Sequence, residues 1–415
     1  MIRTFQTHRI RRQEELSSAL WEFSPCEGEQ AGKKISVAVP SAWECYPDFE
    51  TYRGTAVYTR QFFVEKAGNI RLEFKGVSHT ADVFVDEKPV AHHYNAFTSF
   101  DTVLWLEAGE HHLCVKVDNR YSEASALHIP NDYQTYGGIT RAVVMEEVPD
   151  MYIKWVHAVP VKENGRWGLK LEACVKNVSK EEKCAEVWFS LEGCTTVKKK
   201  TESVKLSDET DTAQEQISLG SISLCGEEEG KLKKTVWCEG AKEWSMEEPN
   251  LYRMNAVLVL DGIAADVWME RIGKRIVGTE GSKILINGRS VLIKGFCRHE
   301  DHPLFGCALP YEAIDYDLNV MQNLGANSVR TSHYPNDEIF LDLCDEKGIL
   351  VWEENHARGL SEEMMRNPNF DKQCEDCNRE MITAHFNHPC IYIWGILNEC
   401  ADHTEYGSKC YQRQL

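Results

Sequence analysis

No stretch of the sequence reaches the roughly 18 consecutive apolar residues that a membrane-spanning helix requires. The start, Met1 to Trp21, carries Arg9, Arg11, Arg12, Glu14 and Glu15 where a secretory leader would place an apolar run, so a cytoplasmic protein with no membrane partner is expected. Positive charge is scarce as well. Against 65 Asp and Glu stand 46 Lys and Arg, a formal charge of −19, which excludes the clustered basic surface that nucleic acid or an anionic membrane demands. Low-complexity tracts and repeats of about 20 to 50 residues are missing too. The sixteen cysteines are scattered, below the density of a disulfide scaffold, and reduced thiols are expected. Cys374 and Cys377 form the one suggestive pair, yet no second Cys/His pair stands at zinc-finger spacing, so they are read as the plain surface of a helix.

What is present is an ordinary globular composition, 42% hydrophobic and 10% aromatic, in a chain of 415 residues. That length exceeds what one core serves and implies roughly two to three domains. From Ile35 to about Val148 short alternating runs, such as Ala56 to Phe63, Ile70 to Phe74 and His112 to Val117, are separated by turns such as Asp86-Glu87-Lys88-Pro89, the pattern of an all-β sandwich. Strand signals continue from Tyr152 to about Val277, diluted by polar stretches (Ser207 to Gln216, Glu227 to Lys234) that suit the loops of a smaller sandwich. After about residue 278 strands alternate with helices, which predicts a parallel α/β sheet or barrel. Its strands are expected at Val291–Lys294, Asn327–Arg330, Ile349–Trp352 and Cys390–Leu397, and its helices at Pro310–Leu324, Pro335–Lys347 and Asp371–Phe386, with Gly325 and Gly348 as stops. This gives domains at 1–150, 151–277 and 278–415.

Charged and aromatic residues gather just beyond the C-terminal ends of those four strands: Arg298 to His302, Arg330 to Pro335, Glu353 to His356, and Asn398-Glu399. That end of a barrel is where βα loops converge on one cavity. The runs Gly295-Phe296-Cys297-Arg298-His299-Glu300-Asp301-His302, Asn327-Ser328-Val329-Arg330-Thr331-Ser332-His333-Tyr334-Pro335 and Ile393-Trp394-Gly395-Ile396-Leu397-Asn398-Glu399 resemble glycoside hydrolase family 2, the family of β-galactosidases and β-glucuronidases. Val39-Pro40-Ser41-Ala42-Trp43, Tyr136-Gly137-Gly138-Ile139-Thr140-Arg141 and Trp244 to Tyr252 extend the resemblance over essentially the whole chain.

The resemblance implies a jelly-roll sugar-binding domain, an immunoglobulin-like sandwich and an incomplete (β/α)8 TIM barrel, acting on terminal β-linked sugars by a retaining two-carboxylate mechanism. Glu399 matches the general acid/base, with an expected raised pKa, and Asn398 the residue bonded to the sugar 2-hydroxyl. His299 and His333 match residues of the sugar subsite, and Asp132, six residues before Gly138, an aspartate sent in by the first domain. Arg298, Arg330 and Glu354 are supporting residues, Arg330 as a partner of the Glu353-Glu354 carboxylates. Metal-dependent β-galactosidases of the family hold magnesium in the loop after the third strand, where this sequence places Arg358; no metal and no cofactor are expected. The resemblance puts the nucleophile on the seventh barrel strand, roughly a hundred residues beyond Glu399, whereas the sequence ends sixteen residues after it. The 415 residues alone are therefore expected to be inactive and poorly soluble, with the full-length form a homo-oligomer. Two other readings stand beside this one: a non-catalytic sugar-binding or complementing fragment, and a thiol or metal protein built on Cys374 and Cys377.

Overall fold

A computed structural model describes residues 10–195, 199–203, 205–207 and 216–415. The first nine residues, and 208–215 of the expected Ser207 to Gln216 loop, lie outside it. The alternation between Ala56 and Val117 folds into two packed antiparallel sheets. One has six strands, with Thr55–Val64 and Gly109–Asp118 paired at its centre so that Tyr58 faces Val115. The other holds Gln13–Glu15, Val143–Val148, Gly68–Phe74 and Phe100–Leu106 in that spatial order. Every second side chain points between the sheets, and Phe23, Tyr58, Leu72, Phe74, Leu113 and Val115 make a continuous core closed by Trp21 and Trp43.

A second pair of sheets follows, with its own core of Val156, Leu169, Leu171, Val187, Phe189 and Met254. Here one expectation fails. Glu227 to Lys234 is no loop; most of it belongs to the strand Glu229–Glu239. It looked polar because its solvent face carries Lys231 and Lys233, while the half-buried Leu232 between them packs on the core.

The last third opens with a three-stranded meander, Val277–Glu280, Lys283–Ile286 and Arg289–Val291, and continues with four parallel strands in sequence order: Gly295–Arg298, Ser328–Thr331, Leu350–Glu354 and Ile391–Gly395. The first of these lies later than the expected Val291–Lys294, because Arg289–Val291 is already paired in the meander. Gly295 suits the site: a Cβ there would lie 2.0 Å from the Ser328 carbonyl oxygen on the neighbouring strand. The helix Tyr311–Asn323 buries Ile314 and Leu318 one turn apart, and Glu338–Lys347 is capped by Asp337, whose side chain accepts the Ile339 N–H. Gly348 ends that helix at φ +70, as its sequence position suggested.

The helix Phe370–His385 corrects the reading of the cysteine pair. Cys374 and Cys377 sit on it, but they are fully buried with Phe370 and Met381, whereas Lys372 and Arg379 take the solvent side. No helix of the described residues is long and apolar enough to cross a membrane.

Two joints tie the first sandwich to its neighbours. One is ionic and lines a cavity of about 810 Å³. Arg11 binds Asp266 at 2.7 Å and Glu146 at 3.0 Å, Arg71 binds Glu146 at 2.7 Å and Asp101 at 2.5 Å, and Lys75 spans Glu73 and Glu338, each at 3.1 Å. The other is aromatic. Phe97 stacks on Tyr334 with centroids 4.0 Å apart, and His128 lies between His79 and His356 at 4.3 and 4.4 Å. A buried cation pins this side: Arg141 reaches Glu300 at 3.0 Å and the Pro335 carbonyl at 2.7 Å.

Candidate active site

Parallel strands place their C-terminal loops side by side, and here the loops after the third and fourth strands are bonded to each other. The Asn398 N–H donates to the Ala357 carbonyl at 2.8 Å, and the Gly359 N–H donates to the Asn398 carbonyl at 2.8 Å. This clamp holds Glu399 at φ +50, a left-handed conformation that is uncommon for a side chain with a Cβ and costs on the order of 1 kcal/mol. Its carboxyl is exposed.

Around it the side chains form a chain of contacts. Glu354 is buried at the end of the third strand, and its two oxygens meet Arg330 Nε at 2.5 Å and His333 Nδ1 at 3.0 Å. A carboxylate there can only accept, so His333 carries its proton on Nδ1. Arg330 also donates through Nη2 to Asn398 Oδ1. Because Oδ1 faces the guanidinium, Asn398 turns its amide Nδ2 elsewhere, and that buried donor has no hydrogen-bond partner among the described residues. His333 lies edge-on to His299, with centroids 5.6 Å apart, and His299 sits 4.7 Å from the Tyr133 ring. Burial, aided by His333, lowers the His299 pKa, so the imidazole is neutral at pH 7. Arg358 completes the circuit. Its guanidinium lies 5.6 Å from the Tyr133 ring centre, donates to Asn131 Oδ1 at 2.8 Å and pairs with Asp132 at 2.7 Å.

Glu399, Asn398, His333, His299, Asp132, Arg330 and Glu354 are thus brought to one place. Arg330 does bind a carboxylate, Glu354; Glu353 turns the other way to His385 Nδ1 at 2.8 Å. Arg298 is the exception. It is buried toward the helices, with Nη2 3.0 Å from Asp317 and Nη1 donating to Asn336, because its side chain points to the helix layer. Tyr133 and Tyr334 are additions that sequence reasoning passed over. The signal available for Tyr133 was an aromatic ring directly after Asp132; Tyr334 stood inside the quoted motif.

Residues 25–149 match the sugar-binding domain of glycosyl hydrolases family 2, and residues 277–414 match the TIM-barrel domain of the same family. Among solved structures, a GH2 β-galacturonidase from Eisenbergiella tayi bound to galacturonate superposes with a TM-score of 0.91 at 53% identity, covering 100% of this chain and 70% of that one. A β-galactosidase of Thermoanaerobacter pseudethanolicus is 28% identical over 386 residues, 89% of this chain and 49% of that protein. A β-glucuronidase of Bacteroides fragilis is 25% identical over 414 residues, 94% of this chain and 56% of that protein. The chain therefore spans about half the length of these curated relatives. Its motifs, its two matched domains and its likeness to the Eisenbergiella enzyme agree: the chain belongs to glycoside hydrolase family 2.

Proposed function

We propose that this chain supplies the acid/base half of a retaining β-glycosidase whose substrates are terminal β-D-uronides, with β-galacturonides foremost. The observation that carries the reading is the orphaned amide of Asn398: a buried N–H donor beside Glu399, turned away from Arg330 and without a partner among the described residues, suits a sugar hydroxyl. Glu399 then protonates the leaving oxygen and later takes a proton from the incoming water. His299, His333 and Asp132 line the sugar subsite, and Glu354 keeps Arg330 and His333 in place. Both Glu354 oxygens are engaged by Arg330 and His333, which suits a positioning residue, and the nucleophile is the one that the family resemblance puts on the seventh barrel strand.

The substrate class rests on Arg358, a cation held at the rim by Asn131 and Asp132, which suits a sugar carboxylate, and on the relative at 53% identity that binds galacturonate. In the same reading residues 1–150 form the jelly roll, 151–277 the immunoglobulin-like sandwich and 278–415 the first half of the barrel.

The test compares nitrophenyl β-galacturonide, β-glucuronide and β-galactoside as substrates of the protein with a closed barrel. Uronides are expected to lead. Glu399→Ala should lower turnover on the order of 10²–10⁴-fold and recover part of it with azide. Arg358→Leu should cost about ten- to a hundredfold in kcat/KM for uronides and little for the galactoside. Equal use of all three sugars by the parent protein would sink the uronide assignment, and an unimpaired Glu399→Ala the acid/base role.

A further inference from the structure

The outer face of the second sandwich carries a feature that the active site does not use. On Met151–Glu163 the residues Trp155, His157 and Val159 point outward in alternation, and Val159 remains 44% exposed. The three rings next to one another are stacked: Trp155 on His157 at 4.0 Å and 15°, then His157 on Phe386 at 4.2 Å and 13°, the last from just after the helix Phe370–His385. The hydrogen bond from His157 Nε2 to the Thr383 carbonyl at 3.1 Å holds this stack against the helix.

Beside this aromatic wall the paired strands bring up lysines by register. Val159 lies opposite Lys170, His157 opposite Glu172, and Glu172 opposite Lys233. Lys231 and Lys233 both reach Glu172 at 2.8 Å. Lys170, Lys231, Lys233 and Lys234 thus stand around one carboxylate, Glu172, in a protein whose net charge is −19. Lys231 stands 5.0 Å from the Trp155 ring centre, so charge and ring share one surface. Between wall and lysines runs a groove of about 620 Å³.

We infer that this groove is a second carbohydrate site, distinct from the Glu399 pocket, which holds uronate-bearing oligosaccharides by apolar contact with the edges of the Trp155–His157–Phe386 stack and by the lysines on their carboxylates. The stacked ring edges and Val159 supply apolar area for the sugar, and Glu172, already shared by two lysines, leaves cationic charge over for a ligand. That the bound sugar is a uronide rests on the function proposed above; that the groove binds an acidic oligosaccharide rests on its own geometry. Such a site would keep an oligomeric substrate on the protein between cleavages.

The experiment titrates the intact protein with trigalacturonate as probe, following tryptophan fluorescence and heat, beside a neutral galacto-oligosaccharide and a polyglutamate peptide. Trigalacturonate should bind more weakly as salt rises, and Trp155→Ala should weaken it about tenfold or more. Lys233→Gln, at a side chain 70% exposed, should weaken it as well. Hydrolysis of small nitrophenyl uronides should stay unchanged in both variants. Binding unaffected by either substitution overturns the site, as does equal binding of polyglutamate, which would mean charge reading without sugar recognition. If trigalacturonate binds through Trp155 and Lys233 while no uronide is hydrolysed, the groove stands and the proposed activity falls.

Discussion

The two joints of the first sandwich solve the same packing problem with opposite chemistry. In the ionic joint every buried cation has carboxylates at bonding distance, and the pairs reinforce one another: burial pushes Asp101 up, but Arg71 beside it outweighs that and holds it below its ordinary value. The aromatic joint holds its histidines uncharged instead. Burial lowers His79 and His356 to about 4 and pushes His128 down as well. The difference teaches where acid should act first. A histidine whose folded pKa lies below its unfolded value of 6.5 takes up its proton earlier in the unfolded chain, so the stability present above pH 6.5 is lost as pH falls toward 4. Asp101, depressed from 3.8, gives up stability only below that.

Acidification is accordingly the strongest way to break the comparison. Between pH 6.5 and 4 the aromatic joint should lose on the order of 3 kcal/mol for each of His79 and His356. The check is a set of urea midpoints across that window for the parent and for His79→Phe, because the difference curve removes Glu44. That buried carboxyl, raised to about 8 mainly by burial, works the other way: its stability is present below pH 4.5 and is lost as pH rises through 8. A parent curve that stays flat after the Glu44 contribution is removed would count against neutral histidines.

Next in size is Arg141→Ala, which leaves Glu300 buried without its cation and should cost about 3–5 kcal/mol in denaturant unfolding. Its cost should persist at pH 5, unlike that of a histidine substitution. A third contact sharpens the contrast with a smaller effect. Lys274 is buried against the Tyr252 and Trp167 rings with no hydrogen-bond partner for Nζ among the described residues, and burial lowers it to about 8. Stability should therefore rise between pH 8 and 10.5, and Lys274→Met should gain about 1–2 kcal/mol at pH 7 and abolish that rise. Smallest is Glu362→Ala, which removes an exposed pair with Arg366 one turn away and should leave the unfolding midpoint nearly unchanged.

Much of this molecule was legible in its local patterns. Alternation marked the sandwich strands, Gly325 and Gly348 marked helix ends, and the strand-end motifs collected Glu399, Asn398, His333 and His299. Facing was harder to read. Arg298 and the cysteine pair were misjudged because a strand or helix period says which residues share a side, not which side meets the core. Glu227 to Lys234 misled for a related reason, since a half-solvated strand with lysines on its open face has the composition of a loop. The Arg358–Asp132 pair belongs to a third kind, a contact between separate units of the chain that no local period can reveal.

The clamp on Glu399 has a practical corollary. A left-handed backbone favours glycine or asparagine, so replacing the glutamate by either relieves conformational strain. The substituted protein should be the sturdier of the two. Under the proposed acid/base role, activity and robustness are in competition at this one position, and Glu399→Asn is a natural starting point for turning the pocket into a durable sugar-capture reagent.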